Sequence, residues 1–198
     1  GTPLISDPGY HLVTKCRQAG VRVVPLPGAC AVITALSASG LPSDRFSFEG
    51  FLPPKSKGRK DKFLEIASVE RTCIFYESPH RIVDSLTDLL SVFGADRVIT
   101  VARELTKRFE TLLHGSLEDV LAQIKSDANQ QRGEFVLVVG GSPASSDESG
   151  AGVTADLDKT LTVLLEHLPV KTVARCAAQL CGVTRKQAYD RALKLLGR

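Results

Sequence analysis

Thr72-Cys73-Ile74-Phe75-Tyr76-Glu77-Ser78-Pro79-His80-Arg81 sets an apolar run directly against a cluster of polar and charged side chains. The run from Thr72 to Tyr76 has the composition of a buried strand, and a helical pattern over 81–92 takes over after the polar cluster. Open α/β sheets bind ligands in the crevice beyond the carboxyl ends of their strands, so Glu77, His80 and Arg81 are candidate site residues on position alone. The arrangement recurs at 97–102, an apolar strand pattern that runs into Arg103-Glu104-Leu105-Thr106-Lys107. This second charged loop is placed to converge on the same crevice, making Arg103, Glu104 and Lys107 further candidates. For each loop the alternative is a salt-linked surface turn.

Outward from these two units, helix and strand patterns alternate. A helix over 8–19 stops at Gly20, and Val21-Arg22-Val23-Val24-Pro25 reads as a short strand. Pro27-Gly28 breaks the chain before a small-residue helix over 29–39. Phe46 to Phe51 alternates aromatic and polar residues as a half-buried strand does, and a helix over 59–68 follows. Beyond the two charged loops come a strand near 109–114, a helix over 117–124 and a strand over 135–139. The order implies an α/β domain with a mixed sheet flanked by helices.

Residues 142–155 are rich in Ser, Gly and Ala with little to bury, and read as a linker. Three helical patterns follow, over 156–167, 170–181 and 184–196, forming a small all-helical C-terminal domain. Its last two helices fit a helix-turn-helix: Ala178 permits close crossing, Gly182 makes the turn, Val183 plugs the core, and Thr184 with Gln187 forms a capping box. Arg185, Lys186, Arg191, Lys194 and Arg198 give this unit a positive face suited to phosphate, or a solvated bundle surface.

The chain of 198 residues is 43% hydrophobic, enough for a proper core with a smaller appendage. It has no bilayer-length apolar run and no signal-like start, and its five cysteines show no C-x-x-C spacing, which fits a reducing cytoplasm better than a disulfide framework. The four histidines show no metal spacing, and no metal is expected. The net charge of +3 is small, so placement matters more than sum. Pro53-Pro54-Lys55-Ser56-Lys57-Gly58-Arg59-Lys60-Asp61-Lys62 concentrates like charges after a rigid diproline. It reads as a mobile loop that cannot enter a core and whose cations await an anionic partner, which favours a nucleic acid. Finally, Gly1-Thr2-Pro3-Leu4-Ile5-Ser6-Asp7-Pro8-Gly9 combines fixed and permissive backbone with oxygen acceptors, and reads either as a turn or as a grip on a small polar ligand.

The succession GTPLISDPGY, VVPLPGACAVITALSASGLPSDRF, EGFLPPKSKGR, FYESPHRI, ARELTKRFE and GEFVLVVGG resembles the tetrapyrrole methylase family, and within it the branch that modifies ribosomal RNA. The resemblance covers nearly the whole chain. It implies an S-adenosyl-L-methionine-dependent enzyme that methylates the ribose 2′-hydroxyl of a cytidine in 16S rRNA, with the small ribosomal subunit as partner and a homodimer as assembly. Family members begin with a strand and glycine-containing loop ahead of the position of Gly1. The resemblance therefore divides the chain into 1–27, a remnant of the first methylase subdomain, 28–141, the second, the 142–155 linker and the 156–198 helical domain. The chain is then expected to be inactive alone. Carried over by motif, cofactor contacts fall on Gly1, Thr2, Ile5, Cys30, Ala31, Glu77 and Leu105. Tetrapyrrole-modifying relatives carry an aspartate where this chain has Thr2, and they lack the basic segment and C-terminal helices. A precorrin-type C-methylase and a non-catalytic RNA-binding module stand as alternatives.

For methyl transfer to a hydroxyl, Glu77, His80 and Glu104 are the available bases, while Arg81, Arg103 and Lys107 could hold phosphate or lower the hydroxyl's pKa. Positioning alone could also suffice. RNA contacts are expected at Lys55, Lys57, Arg59, Lys60, Arg103, Lys107, Arg185 and Lys186, and Asp7 is expected to cap the helix after it.

Overall fold

The computed structural model describes residues 1–143 and 151–196, with side chains of 151–156 left aside. Residues 144–150 of the expected linker, and Arg198, lie outside the described residues. The chain forms two compact units, Gly1–Ser142 and Pro143–Arg198.

The first unit is built on five strands, β1 (Phe46–Phe51), β2 (Thr72–Glu77), β3 (Val98–Arg103), β4 (Thr111–Ser116) and β5 (Phe135–Val139). Their order across the sheet is β1-β2-β5-β3-β4. β1 and β2 are parallel, whereas β5 runs antiparallel to both neighbours and β3 pairs antiparallel with β4. The period of two divides each central strand between two cores. Cys73 and Phe75, Ile99 and Val101, and Phe135, Leu137 and Val139 pack with Phe63, Leu86, Leu89, Val120 and Ile124. Those partners come from α3 (Ser56–Ile66), α4 (Ile82–Phe93) and α5 (Leu117–Ser126). Ile74, Ala102, Val136 and Val138 face the other way, onto Val32, Ala35 and Leu36 of α2 (Ala31–Ala38). Both faces of the sheet are covered, which is why β5 is apolar at every position and buried throughout.

Local chemistry sets the boundaries. Ser116 accepts the Asp119 N–H to cap α5, with Glu118 and Asp119 in the first turn complementing the helix dipole. The β1–β2 register slips between Phe48 and Phe51, where Gly50 has φ of 77°. A side chain at that position would be strained, so glycine permits the bulge.

Three expectations need correction. Residues 21–25 are not a strand: Val21 and Val24 are exposed and their backbone joins no sheet. β-branched composition suits a strand only where an edge is offered, and among the described residues none is offered here. Asp7 does not cap α1 (Tyr10–Gln18), whose N-cap is Gly9 with no side-chain bond. The basic segment is not a mobile loop, since it forms the first turns of α3 with Arg59 only 3% exposed.

The second unit packs α6 (Ala151–Leu165), α7 (Val170–Cys181) and α8 (Arg185–Leu195) around Leu157, Leu161, Val173, Ala177, Ala188 and Ala192. α6 starts ahead of residue 156, so part of the expected linker is helical. The helix-turn-helix details are as the sequence implies. Gly182 is left-handed with φ of 67°, Val183 packs against the core, and Thr184 and Gln187 complete a capping box.

Candidate functional site

Two cavities adjoin α2, one along the first half of β1 and one at the carboxyl end of β2, and the opening loop contributes to both. The Thr2 N–H donates to Ala29 O at 2.7 Å, and its hydroxyl lies 3.0 Å from Gly28 O and 3.3 Å from Ala29 O. These bonds zip the Gly1-Thr2 segment onto Gly28-Ala29, a backbone approach close enough that a Cβ on Gly1 would come within 3.2 Å of Ala29 O. The first cavity, of about 420 Å³, is lined by Thr2, Ile5, Gly28, Cys30, Ile33 and Phe48, among others. The second, of about 280 Å³, is lined by Ile5, Ser6, Ala31, Phe51, Tyr76, Glu77, Glu134, Phe135 and Val136. Ile5 borders both.

The loop carries a strained backbone, with Leu4 at φ 74° and Ser6 at φ 55°. Such conformations cost on the order of 1–3 kcal/mol each and concentrate at ligand sites. α2 begins beside it with no side-chain bond from its N-cap Cys30, while the Tyr76 phenol oxygen meets the Val32 N–H of its first turn. The N–H groups of a helix start that no side chain takes are presented to a carboxylate or another acceptor. Tyr76 supplies an aromatic wall, packed edge-on against Phe48 at 4.9 Å and Phe51 at 5.4 Å. Burial first, and the neighbouring Cys30 second, push its phenol above the ordinary range. Tyr76 therefore stays a neutral hydrogen-bonding group at physiological pH.

Glu77 lines the second cavity, but its carboxylate is occupied. It accepts the Ser78 N–H at 2.6 Å, Arg81 Nε at 3.2 Å, Arg81 Nη2 at 2.9 Å and the Ser85 hydroxyl. With 2% exposure it is a buried anion fully satisfied by the start of α4. Glu77 and Arg81 thus fasten β2 to α4, and neither is a free base or a free phosphate ligand. His80 is exposed, with its backbone N–H 3.4 Å from the Ser78 hydroxyl, and it borders neither cavity.

The second charged loop also reaches the cavity, through a residue that sequence reasoning passed over. Glu134 sits at the rim of the smaller cavity, where Lys107 Nζ bridges it and Glu104 at 3.0 Å each. The Glu134 backbone N–H, followed by Lys107, holds the Glu104 carboxyl below the usual carboxylate range, which weakens it as a proton acceptor. Lys107 is raised in turn, by Glu104 and then Glu134. Glu104 has φ of 50° and Thr106 of 63°, a second strained loop at the same end of the sheet. Arg103 spends its guanidinium on its own chain, donating to Arg132 O at 2.6 Å and Phe109 O at 3.0 Å. Leu105 packs on the α2 side of the core.

The expected RNA contacts divide. Lys55 and Lys57 are exposed, and Lys60 is partly exposed at 3.6 Å from Asp88. Arg59 is buried against Asp88 at 2.7 Å and cannot meet RNA. On the second unit Arg185 and Lys186 are exposed at the start of α8, while Arg191 is held by Asp158 through its Nε at 2.7 Å.

Known proteins resemble this chain in sequence and in fold. A profile of the Tetrapyrrole (Corrin/Porphyrin) Methylases matches residues 1–121. The chain belongs to the tetrapyrrole methylase family. A second profile, the RsmI C-terminal HTH domain, matches residues 151–196. The chain is 57% identical over 197 residues to Ribosomal RNA small subunit methyltransferase I of Vibrio cholerae, covering 100% of this chain and 67% of that protein. It is 52% identical to the protein of the same name from Escherichia coli O157:H7, covering 68% of it. The chain thus spans about two thirds of the length of the curated relatives it matches. Among solved structures, the methyltransferase CobJ aligns with a TM-score of 0.52 at 20% identity, over 72% of this chain and 62% of CobJ. A diphthine synthase aligns with a TM-score of 0.52 at 14% identity, over 71% and 57% of the two chains. These likenesses establish the methylase fold, with its mixed sheet and flanking helices, and a helix-turn-helix unit is appended to it.

Proposed function

We propose that this chain supports S-adenosyl-L-methionine-dependent methylation of small-subunit ribosomal RNA, at the ribose 2′-hydroxyl of a cytidine. The observation that carries the reading is the loop clamped by Thr2 onto Gly28-Ala29, which brings a strained backbone and the start of α2 beside two cavities of a methylase fold. The names and near-full-chain identity of the relatives support rRNA as the substrate class.

The cofactor fits what is present. Small residues and backbone around Gly1, Thr2, Gly28 and Ala31 leave room for a folded ligand, Ile5, Phe48 and Tyr76 offer apolar surface, and the α2 start suits a carboxylate. When bound, the sulfonium cofactor supplies an electrophilic methyl group. The chain's own task is to hold the ribose oxygen in line and exclude water. Glu77 and Arg81 act indirectly, by fixing the end of β2 and the start of α4. Lys107 ties Glu104 and Glu134 together and so braces the second charged loop at the cavity rim. The protein is proposed to act in the cytoplasm and as a homodimer. No helix among the described residues is long and apolar enough to cross a membrane.

The test is transfer of labelled methyl groups from S-adenosyl-L-methionine by the gene product that contains this chain. Small subunits lacking the modification should accept label, recovered after digestion as 2′-O-methylcytidine. Base-methylated nucleosides, or labelling of a tetrapyrrole instead, would overturn the proposal.

A further inference from the structure

The helix-turn-helix unit carries a groove that the methylase chemistry does not use. Lys171, Thr172 and Arg175 of α7 face Arg185, Lys186 and Tyr189 of α8 across a cavity of about 530 Å³. None of its four cations has a salt bridge among the described residues, although Arg191 on the same helix is paired with Asp158. The unit therefore holds one arginine for its own packing and leaves four cations around one concavity.

Three of the four run against helix electrostatics. Neither α7 nor α8 has an acidic residue in its first turn, where the dipole favours one. Lys171 stands in the first turn of α7, and Arg185 and Lys186 in that of α8. α5 in the other unit obeys the rule with Glu118 and Asp119. Cations placed where the folded unit gains nothing from them, around a cavity, fit an anion from outside.

We infer that this groove binds the phosphodiester backbone of RNA without reading its sequence; the inference rests on the rRNA reading above. Sequence-reading helix-turn-helix units present the N-terminal side chains of the second helix to base edges. In α8 the amide-bearing side chain at that end, Gln187, is turned back. Its Oε1 lies 3.0 Å from the Thr184 N and 2.7 Å from the Thr184 hydroxyl. The groove is left with Lys and Arg, a hydroxyl from Thr172, and the half-buried ring of Tyr189. Four cations, unpaired among the described residues and gathered around one concavity, suit the phosphates along a strand, and contacts to phosphate carry no sequence information. The unit anchors the substrate, and selection of the cytidine falls to the methylase domain.

The test uses the full chain and its Arg175→Glu/Lys186→Glu variant, with binding to a small-subunit rRNA fragment followed by fluorescence anisotropy over a salt series. Whatever preference the unaltered chain shows for that fragment over a scrambled RNA of equal length should persist in the variant, because the groove reads no sequence. The variant should bind both at least tenfold more weakly, with the slope of log K against log salt reduced by about 0.7 for each phosphate that the groove no longer neutralises. Unchanged affinity and slope in a variant that retains its helical circular dichroism would overturn the inference. So would strong preference for the native sequence that the variant abolishes, or binding of a protein partner at the groove in place of RNA. Methyl transfer separates the two proposals. In the gene product, the variant should raise KM for subunits and leave kcat intact, whereas an unaltered protein that fails to methylate subunits counts against the proposed reaction.

Discussion

Asp88→Ala should loosen α3 and α4 together, although it removes only one small side chain. The Asp88 carboxylate accepts the Ser56 hydroxyl at 2.8 Å, Arg59 Nε at 2.8 Å and Arg59 Nη2 at 2.7 Å, and the two charged side chains are 9% and 4% exposed. Arg59 also donates to Pro54 O at 2.8 Å, so the same guanidinium ties down the diproline ahead of α3. Truncation leaves Arg59 as an uncompensated buried cation, and removing one partner of a buried pair costs about 3–5 kcal/mol. Since about 1.4 kcal/mol corresponds to a factor of ten, amide exchange in α3 and α4 should accelerate by roughly a hundredfold to a few thousandfold. Hydrogen exchange with mass spectrometry is the suitable assay, because a chain of two units need not unfold in a single two-state step. The double variant Arg59→Met/Asp88→Leu removes both charges and should recover most of the protection. Acceleration below about tenfold in Asp88→Ala, or a double variant as weak as the single one, would refute the assignment of Arg59 to the core.

Two further outcomes follow from other ion pairs. Arg81→Ala deprives the buried Glu77 of a charged donor but leaves it Ser78 N–H and Ser85, so the loss should be about 1.5–3 kcal/mol, read as faster exchange at the start of α4; full protection with abolished methyl transfer would instead mark Arg81 as a substrate contact. Arg191 holds the Asp158 carboxyl below the ordinary aspartate range, so the pair's contribution is fully present above an unfolded aspartate's pKa of about 3.9 and fades as pH falls from there toward the depressed value; helical signal from the second unit in an acid titration should show this loss in the unaltered chain and lack it in Asp158→Asn.

The legible part of the fold was the part written in local patterns. β2 and β3 could be read because apolar runs end in polar clusters, and the turn between α7 and α8 because Gly182, Val183, Thr184 and Gln187 each have a local role. Residues 21–25 have strand composition too, but a strand also needs a partner edge, and no run of sequence states whether one exists. The site was legible in the same uneven way. Motif resemblance pointed to Thr2, Ile5, Ala31 and Glu77, all of which border a cavity. Glu134 escaped notice because it sits at the start of an apolar strand in no polar motif, and only the pairing of Arg103 with Phe135 brings that strand end beside the second charged loop.

The basic segment shows why charge counted along a chain does not measure charge available to a partner. Lys55, Lys57, Arg59, Lys60 and Lys62 are equivalent in sequence, but winding them into α3 sorts them by face. Helical geometry turns Arg59 toward α4, where Asp88 waits, and turns Lys62 toward Glu49 at 2.9 Å on β1. Lys62 is raised, by Glu49 foremost, and Glu49 stays lowered because Ser47, Lys62 and Arg71 outweigh its burial. These two cations are therefore bound to the domain's own carboxylates, and Lys55 and Lys57 are left facing solvent. The same sorting on α8 gives Arg191 to Asp158 and leaves Arg185 and Lys186 at the groove. In both units the carboxylate that decides the matter lies on a different element, distant in sequence. An anionic partner of the kind the sequence suggests would therefore find fewer unpaired cations than the sequence counts.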